Sequence, residues 1–218
     1  MVRRRAAKAR TSTCAPQPEL AARRRSVSRP WAAAERWWHH RGVDICEECG
    51  FDYEDHPTDV VVDELAALGV AYGRRLATKD SSRGHDVLHY HPAPGIWSVL
   101  EYACHVRDVL LAQRERLFLA LVEDRPSFAP IYRDRRAVLA RYEDEDPFRL
   151  ADEIAMAAGL IAWALAGLDT TAWARRCIYN FPEPAERSVE WLAQHTLHEG
   201  VHHLFDIDRI LSSAPGRQ

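Results

Sequence analysis

Residues 188–212 read SVEWLAQHTLHEGVHHLFDIDRILS. Ser188 followed by Glu190 marks a helix start, and the pattern ends before Pro215, so the stretch predicts one helix over about Ser188–Ser212. Residues four apart sit one above the other on a helix, so His198 and His202 can face a single ion. His195 shares their side, whereas His203 is turned by about 100° from His202 and is expected not to share its ion. Burying several imidazoles on an otherwise apolar helix is costly unless each is paired or bound to a metal. The stretch therefore predicts a metal-holding helix inside a helical protein.

Three more helices are expected upstream. Val61, Leu65, Leu68, Tyr72 and Leu76 recur at three- and four-residue steps and predict a helix over about Thr58–Ala77. A second helix is expected from near Ile96 to Asp124, with Leu100, Cys104, Leu111, Phe118 and Leu121 as its apolar stripe. The third is expected at Pro147–Leu168, where Pro147 suits the first turn and Met156, Leu160, Trp163 and Leu165 supply apolar surface. Pro92 and Pro94 break the Lys79–Gly95 loop. Arg125–Asp146 reads as a polar connection with a short amphipathic piece near Arg135–Tyr142, and Asp169–Arg187 as irregular chain. No run shows the sustained alternation of an exposed strand. The expected fold is all-α, an antiparallel four-helix bundle over residues 58–212. Ahead of it come a CxxCGF turn segment at 45–57 and a basic, disordered arm at 1–44, with room for a short helix near Ala32–His40.

Composition agrees with one soluble domain. The chain has 218 residues, 47% hydrophobic and 28% charged, and no window reaches the roughly 18 uninterrupted apolar residues of a membrane span. Of its 29 Arg and Lys, nine fall in residues 1–30 against one acid, Glu19. Residues 31–218 then hold 20 basic and 31 acidic side chains, a net of −11 against −3 for the whole chain. A basic arm can meet an anionic surface, but no basic stripe runs along the helices, so nucleic acid is disfavoured as a partner. Nothing after the Arg clusters forms a secretory apolar region. Five cysteines, an odd number without such a signal, point to a reducing cytoplasm rather than a disulfide framework.

A third ligand must come from outside the last helix. His105 is the other histidine in the middle of a predicted helix, and Leu100, Cys104 and Val109 suggest that this part packs inward. The expected metal set is His105, His198 and His202. His198-Glu199-Gly200-Val201-His202 also fits HExxH, the zinc-protease helix. Only 16 residues follow His202, Phe205 stands where the extended motif needs Gly, and no sheet is expected, so a metallohydrolase of that type ranks low. Asp108 and Asp206 are candidates to accept the ligands' second N–H. Glu199 can be a proton acceptor beside the ion, and His195 can line the pocket. Trp97, Trp163 and Trp191 read as core aromatics, and Cys104 as a small core residue. Cys46 and Cys49 form half of a zinc site, which His39, His40, His56 or Cys177 could complete with no spacing favouring any of them.

Trp97-Ser98-Val99 followed by His105, then HExxHH on the last helix, resembles the DinB-like metal-binding bundle superfamily. The likeness spans about Thr58–Leu211. The superfamily includes mycothiol- and bacillithiol-using isomerases and transferases. The resemblance implies a four-helix bundle with a three-histidine metal site, carried here by His105, His198 and His202. It also implies that a low-molecular-weight thiol is moved onto an electrophile or used as a cofactor. Two features depart from the pattern: His203-Leu204-Phe205-Asp206 replaces a small polar run, and the CxxCGF segment and arm lie outside the shared part.

Three neutral imidazoles leave a coordination position open, the mark of a catalytic site. A thiol entering that position would lose its proton, and a water could be activated by the same route. Imidazole suits Zn, Ni, Fe or Cu, with Zn the leading expectation and Ni or Fe behind it. The expected activity is a metal-dependent, thiol-using transferase or isomerase acting on a small electrophile. The alternative is a non-catalytic metal- or ligand-binding bundle working as a homodimer.

Overall fold

The computed structural model describes residues 45–78, 87–181 and 183–214. The arm at 1–44, with the helix expected near Ala32–His40, lies outside the described residues. Four long helices dominate: α1 (Thr58–Leu76), α2 (Val99–Val122), α4 (Pro147–Ala166) and α6 (Val189–Ser213). Two short ones, α3 (Arg133–Leu139) and α5 (Thr170–Trp173), sit in the connections.

The helix starts follow from local chemistry. Ser98 and Glu101 form a reciprocal capping box, with the Ser98 hydroxyl on the Glu101 amide (3.3 Å) and the Glu101 carboxylate on the Ser98 amide (2.8 Å). That cap starts α2 at Val99 rather than at the expected Ile96. Asp146 caps α4 ahead of Pro147 by accepting from the amides of Phe148 and Arg149. Ser188 caps α6 by accepting from the Trp191 amide at 3.0 Å.

In the bundle α1 packs on α4 and α6, and α2 packs on the same two helices, so α1 and α2 are diagonal. Val61, Leu65, Leu68, Tyr72 and Leu76 are buried as the periodicity of α1 predicts. Two other expected stripes hold only in part, with Leu100, Cys104 and Leu165 buried as expected. On α2 the buried positions are Leu100, Ala103, Cys104, Val106, Leu110, Leu117 and Ala120, while Leu111 and Phe118 are exposed. On α4 the core takes Leu150, Ile154, Ala157, Ala158, Ile161, Ala162 and Leu165, and leaves Met156, Leu160 and Trp163 outside. Trp163, expected in the core, is 83% exposed. Helix α4 is apolar nearly all round, so periodicity could not choose its buried face. Close approach chose the small-residue face: a Cβ added to Gly69 of α1 would lie 2.6 Å from the Ala155 backbone.

The expected irregular region at 169–187 instead contains two strands of a small sheet. Strand β1 (Ser127–Phe128) runs parallel to β2 (Arg176–Tyr179), which pairs antiparallel with β3 (Ala185–Ser188), from Arg176 opposite Ser188 to Tyr179 opposite Ala185. Cys177 and Tyr179 are buried on one face of β2, an alternation too short to register as a period. Strand β3 ends at the α6 cap and so fixes where that helix begins. Among the described residues no helix is long and apolar enough to cross a membrane.

Gly69→Ala is expected to lower stability by about 1–3 kcal/mol, because the new methyl meets backbone that cannot move aside. Gly159, mid-α4 with nothing within 4 Å of an added Cβ, should behave oppositely. Gly159→Ala is expected to stabilise by roughly 0.5–1 kcal/mol. Urea denaturation of both variants checks the pair, and a neutral Gly69→Ala would refute the close-packed interface.

Candidate metal centre

Helix α6 carries two overlapping pairs at four-residue spacing, His198/His202 and Glu199/His203. They are offset by one residue, about 100° round the helix. The structure sends the pairs to different neighbours. His198 and His202 converge with Cys46 and Cys49, and Glu199 and His203 converge with His105 of α2. In each group the donor atoms lie within 4.8 Å of one another. The three histidines expected to share one ion are thus divided between adjoining groups. His105 sits on the Glu199/His203 side because it extends from α2, whereas the His198/His202 side is covered by the segment preceding α1.

In the α2-facing group, Nε2 of His105 and Nε2 of His203 lie 3.8 and 3.7 Å from the same oxygen of Glu199, Oε2. Zinc–nitrogen and zinc–oxygen bonds of 2.0–2.2 Å in a tetrahedron place donors about 3.3–3.6 Å apart, so the set is close to binding geometry. Asp206 accepts from Nδ1 of His203 at 3.0 Å, which turns Nε2 toward Glu199. His105 is 2% exposed, and its Nδ1 has no hydrogen-bond partner among the described residues. Trp97 and Tyr102 pack edge-on or tilted against the His105 and His203 rings, with centroids 5.2 and 5.1 Å away. Glu199, 23% exposed, is where solvent reaches the group.

Burial raises the Glu199 carboxyl, but hydrogen bonds from His105 and His203 outweigh it and hold the group well below its ordinary value. Burial lowers His203, yet the Asp206 and Glu199 carboxylates prevail and lift it to about 9. Desolvation dominates at His105 and lowers it. The other oxygen of Glu199, Oε1, faces Nε2 of His195 at 3.7 Å.

His195 lines this region as expected. Its ring stacks on Trp191 with centroids 4.6 Å apart, and its Nδ1 lies 2.9 Å from the Tyr53 hydroxyl. That hydroxyl is also 3.2 Å from Nδ1 of His198, so one O–H bridges the two rings. Neither Tyr53 nor Glu48, whose carboxylate is 3.1 Å from Nε2 of His202, was singled out in the sequence. Their signal was only nearness to the CxxC pair.

The sequence profile of the DinB superfamily matches residues 82–207. The chain is a member of the DinB superfamily. No curated protein sequence matches it. Among solved structures, it is similar to YfiT from Bacillus subtilis, described as a probable metal-dependent hydrolase with an unusual four-helix bundle topology. That match has a TM-score of 0.61 and 17% identity, and covers 72% of this chain and 89% of YfiT. A second similar structure is the mycothiol-dependent maleylpyruvate isomerase, with a TM-score of 0.52, 16% identity, and coverage of 70% of this chain and 62% of that one.

Several remaining expectations for this DinB chain can be placed. Asp108 is buried, but its partners are the Tyr142 hydroxyl (2.7 Å), Arg107 (2.9 Å) and Arg136 (3.4 Å), away from the metal donors. Asp206 serves His203 first and lies 3.8 Å from Nε2 of His202. Glu199 of the HExxH match faces Nε2 of His105 at 3.8 Å, and it also lies within 4.8 Å of donor atoms of His195 and His198. His56 stacks on Phe51 with Nδ1 2.8 Å from the Glu64 carboxylate, and Cys177 sits under the sheet at 3.7 Å from the Arg187 carbonyl, so neither joins Cys46 and Cys49. His39 and His40 lie outside the described residues. Cys104 is a core residue whose thiol faces the Tyr142 carbonyl.

Burial lowers His195 to about 4 from an ordinary value of 6.5. Between those values the unfolded chain binds the proton and the folded one does not, so stability falls as pH drops through that window. The full effect is about 3 kcal/mol. Metal-free protein is therefore expected to lose denaturant resistance between pH 6.5 and pH 4, and His195→Gln to flatten that decline. An unchanged slope in the variant would remove His195 as the cause.

Proposed function

We propose that this DinB protein is a metal-dependent enzyme that uses a low-molecular-weight thiol on a small electrophile, with His105, Glu199 and His203 holding the working ion. The observation that carries the reading is the convergence of Nε2 of His105 and Nε2 of His203 on one Glu199 oxygen at 3.8 and 3.7 Å. The proposed set keeps His105 of the expected trio and replaces His198 and His202 by the next pair round α6. Two histidines and one carboxylate are a donor set of catalytic zinc sites, which keep a further position open. A divalent ion bound there supplies Lewis acidity, lowering the pKa of a thiol or water that reaches its open position.

The chain's own residues have definable tasks. Asp206 orients His203 by accepting from its Nδ1, and Glu199 brings the negative charge that makes a cation welcome. His195 presents Nε2 to the far oxygen of Glu199 at 3.7 Å and helps fix where that carboxylate points. Trp97 and Tyr102 form an aromatic wall beside the two imidazoles, suited to a flat or apolar electrophile. The mycothiol dependence of the similar isomerase supports a thiol cosubstrate. Hydrolysis by an activated water is the second reading, favoured by the carboxylate among the donors and by the description of YfiT.

Metal-loaded protein incubated with a small thiol and a haloarene is expected to consume free thiol only with metal present. His105→Ala and His203→Ala should abolish that consumption, and Asp206→Asn should weaken metal affinity roughly 10–100-fold. Turnover of activated esters without thiol would instead favour hydrolysis. Metal retention without turnover under any thiol would leave the protein a binding bundle and refute the enzyme reading.

A further inference from the structure

We propose that Cys46, Cys49, His198 and His202 hold a second, structural divalent cation of zinc type, which fastens the segment preceding α1 to the last helix. This site is separate from the His105 group and does not depend on its function. Four donors, two thiol sulfurs and two imidazole nitrogens, lie within 4.8 Å of one another. Cys46 Sγ is 3.5 Å from Nδ1 of His202. A tetrahedron with zinc–sulfur bonds of 2.3 Å and zinc–nitrogen bonds of 2.0–2.1 Å sets that edge at about 3.5–3.6 Å. A thiol–imidazole hydrogen bond would account for this one pair. It would not account for a second thiol and a second imidazole brought to the same point.

The backbone is shaped to present both sulfurs. The Cys46 amide donates to the Phe51 carbonyl and the Gly50 amide to the Cys46 carbonyl, both at 2.8 Å, and Ile45 bridges Asp52. This closes a tight knuckle around residues 46–51. Gly50 follows the second cysteine with φ of 74°, the left-handed conformation that Gly adopts without strain. The two cysteines are free rather than joined in a disulfide. Two thiolates would neutralise a divalent ion, giving a centre with no net charge that can be half-buried at little electrostatic cost.

Outer contacts orient both imidazoles. The Glu48 carboxylate, inside the knuckle itself, lies 3.1 Å from Nε2 of His202, on the side of the ring opposite the Nδ1 that faces Cys46. Tyr53 holds Nδ1 of His198 at 3.2 Å, which makes Nε2 the nitrogen that would bind. Four protein ligands fill a tetrahedron, so this ion has no position for substrate and its role is structural. Its mechanical effect is local and specific. The segment places Phe51 and Tyr53 in the core, and Gln194 of α6 donates to the carbonyls of Tyr53 and His56 at 3.1 and 3.0 Å. Fastening the knuckle therefore holds the Tyr53 hydroxyl against His195, beside the proposed working ion.

The test is cobalt(II) substitution of the full chain, read by absorption, with metal content measured by mass spectrometry. Wild type is expected to show thiolate-to-cobalt charge transfer in the near ultraviolet and intense tetrahedral bands in the red. Cys46→Ser and Cys49→Ser should lose the charge-transfer bands and one metal per chain. His105→Ala should keep those bands, separating this site from the proposed working ion. Because a cysteine variant can fail to fold, zinc release from wild type is followed in parallel as a mercurial reagent titrates the thiols. Release of one zinc as Cys46 and Cys49 react supports the site. Absence of charge transfer in wild type, its persistence without Cys46, its loss in His105→Ala, or thiol titration with no metal released each overturns it.

Discussion

Neighbouring residues on an α-helix point about 100° apart, and on α6 that rotation separates two sets of chemistry. His198 and His202 look toward the chain that enters α1, while Glu199 and His203 look toward α2. One helix can therefore serve two centres a few ångströms apart without either set of side chains blocking the other. The position of α6 is itself fixed by close contact. The Tyr72 hydroxyl donates to the Gly200 carbonyl at 2.8 Å, and a Cβ at Gly200 would meet Leu68 at 2.5 Å. A glycine between the two histidine pairs lets α1 lie directly against the helix that carries them.

Desolvation is the cost that this arrangement must meet. His105, His195, His198 and His203 are all buried, and imidazoles out of water require partners. The structure provides them unevenly. Glu199 lies between three rings, Asp206 secures His203, Tyr53 bridges His195 and His198, and Glu48 secures His202. Carboxylates and hydroxyls that orient imidazoles in this way are the ordinary surroundings of metal-binding histidines. Burial pushes both His203 and His195 down in pKa; at His203 the Asp206 and Glu199 carboxylates outweigh it, whereas at His195 the Glu199 carboxylate 3.7 Å away does not.

The fold was largely legible because the long helices carry strong local signals. The α1 stripe, the Ser188 cap and Pro147 in the first turn of α4 follow from neighbours in the chain. Faces were harder where apolar residues surround a helix. On α4 both the alanine-rich face and the Met156–Leu160–Trp163 face satisfy a helical period, and the close approach of Gly69 chose between them. The strands at Arg176–Tyr179 and Ala185–Ser188 escaped notice because four residues do not make a period.

The sequence by itself determined that four histidines and a glutamate lie on one helix at spacings that allow paired ligation, and that a CxxC knuckle precedes the bundle. These are matters of helical pitch and turn chemistry, both local. Which pair meets His105, and that the knuckle meets the other pair, only the tertiary structure decided. Cys46 and His202 are 156 residues apart, and the apolar period of α6 leaves the exact rotation of the helix, and so the neighbour each pair meets, open. That rotation is set by packing against α1 and α2, where small differences in side-chain volume decide which face turns inward.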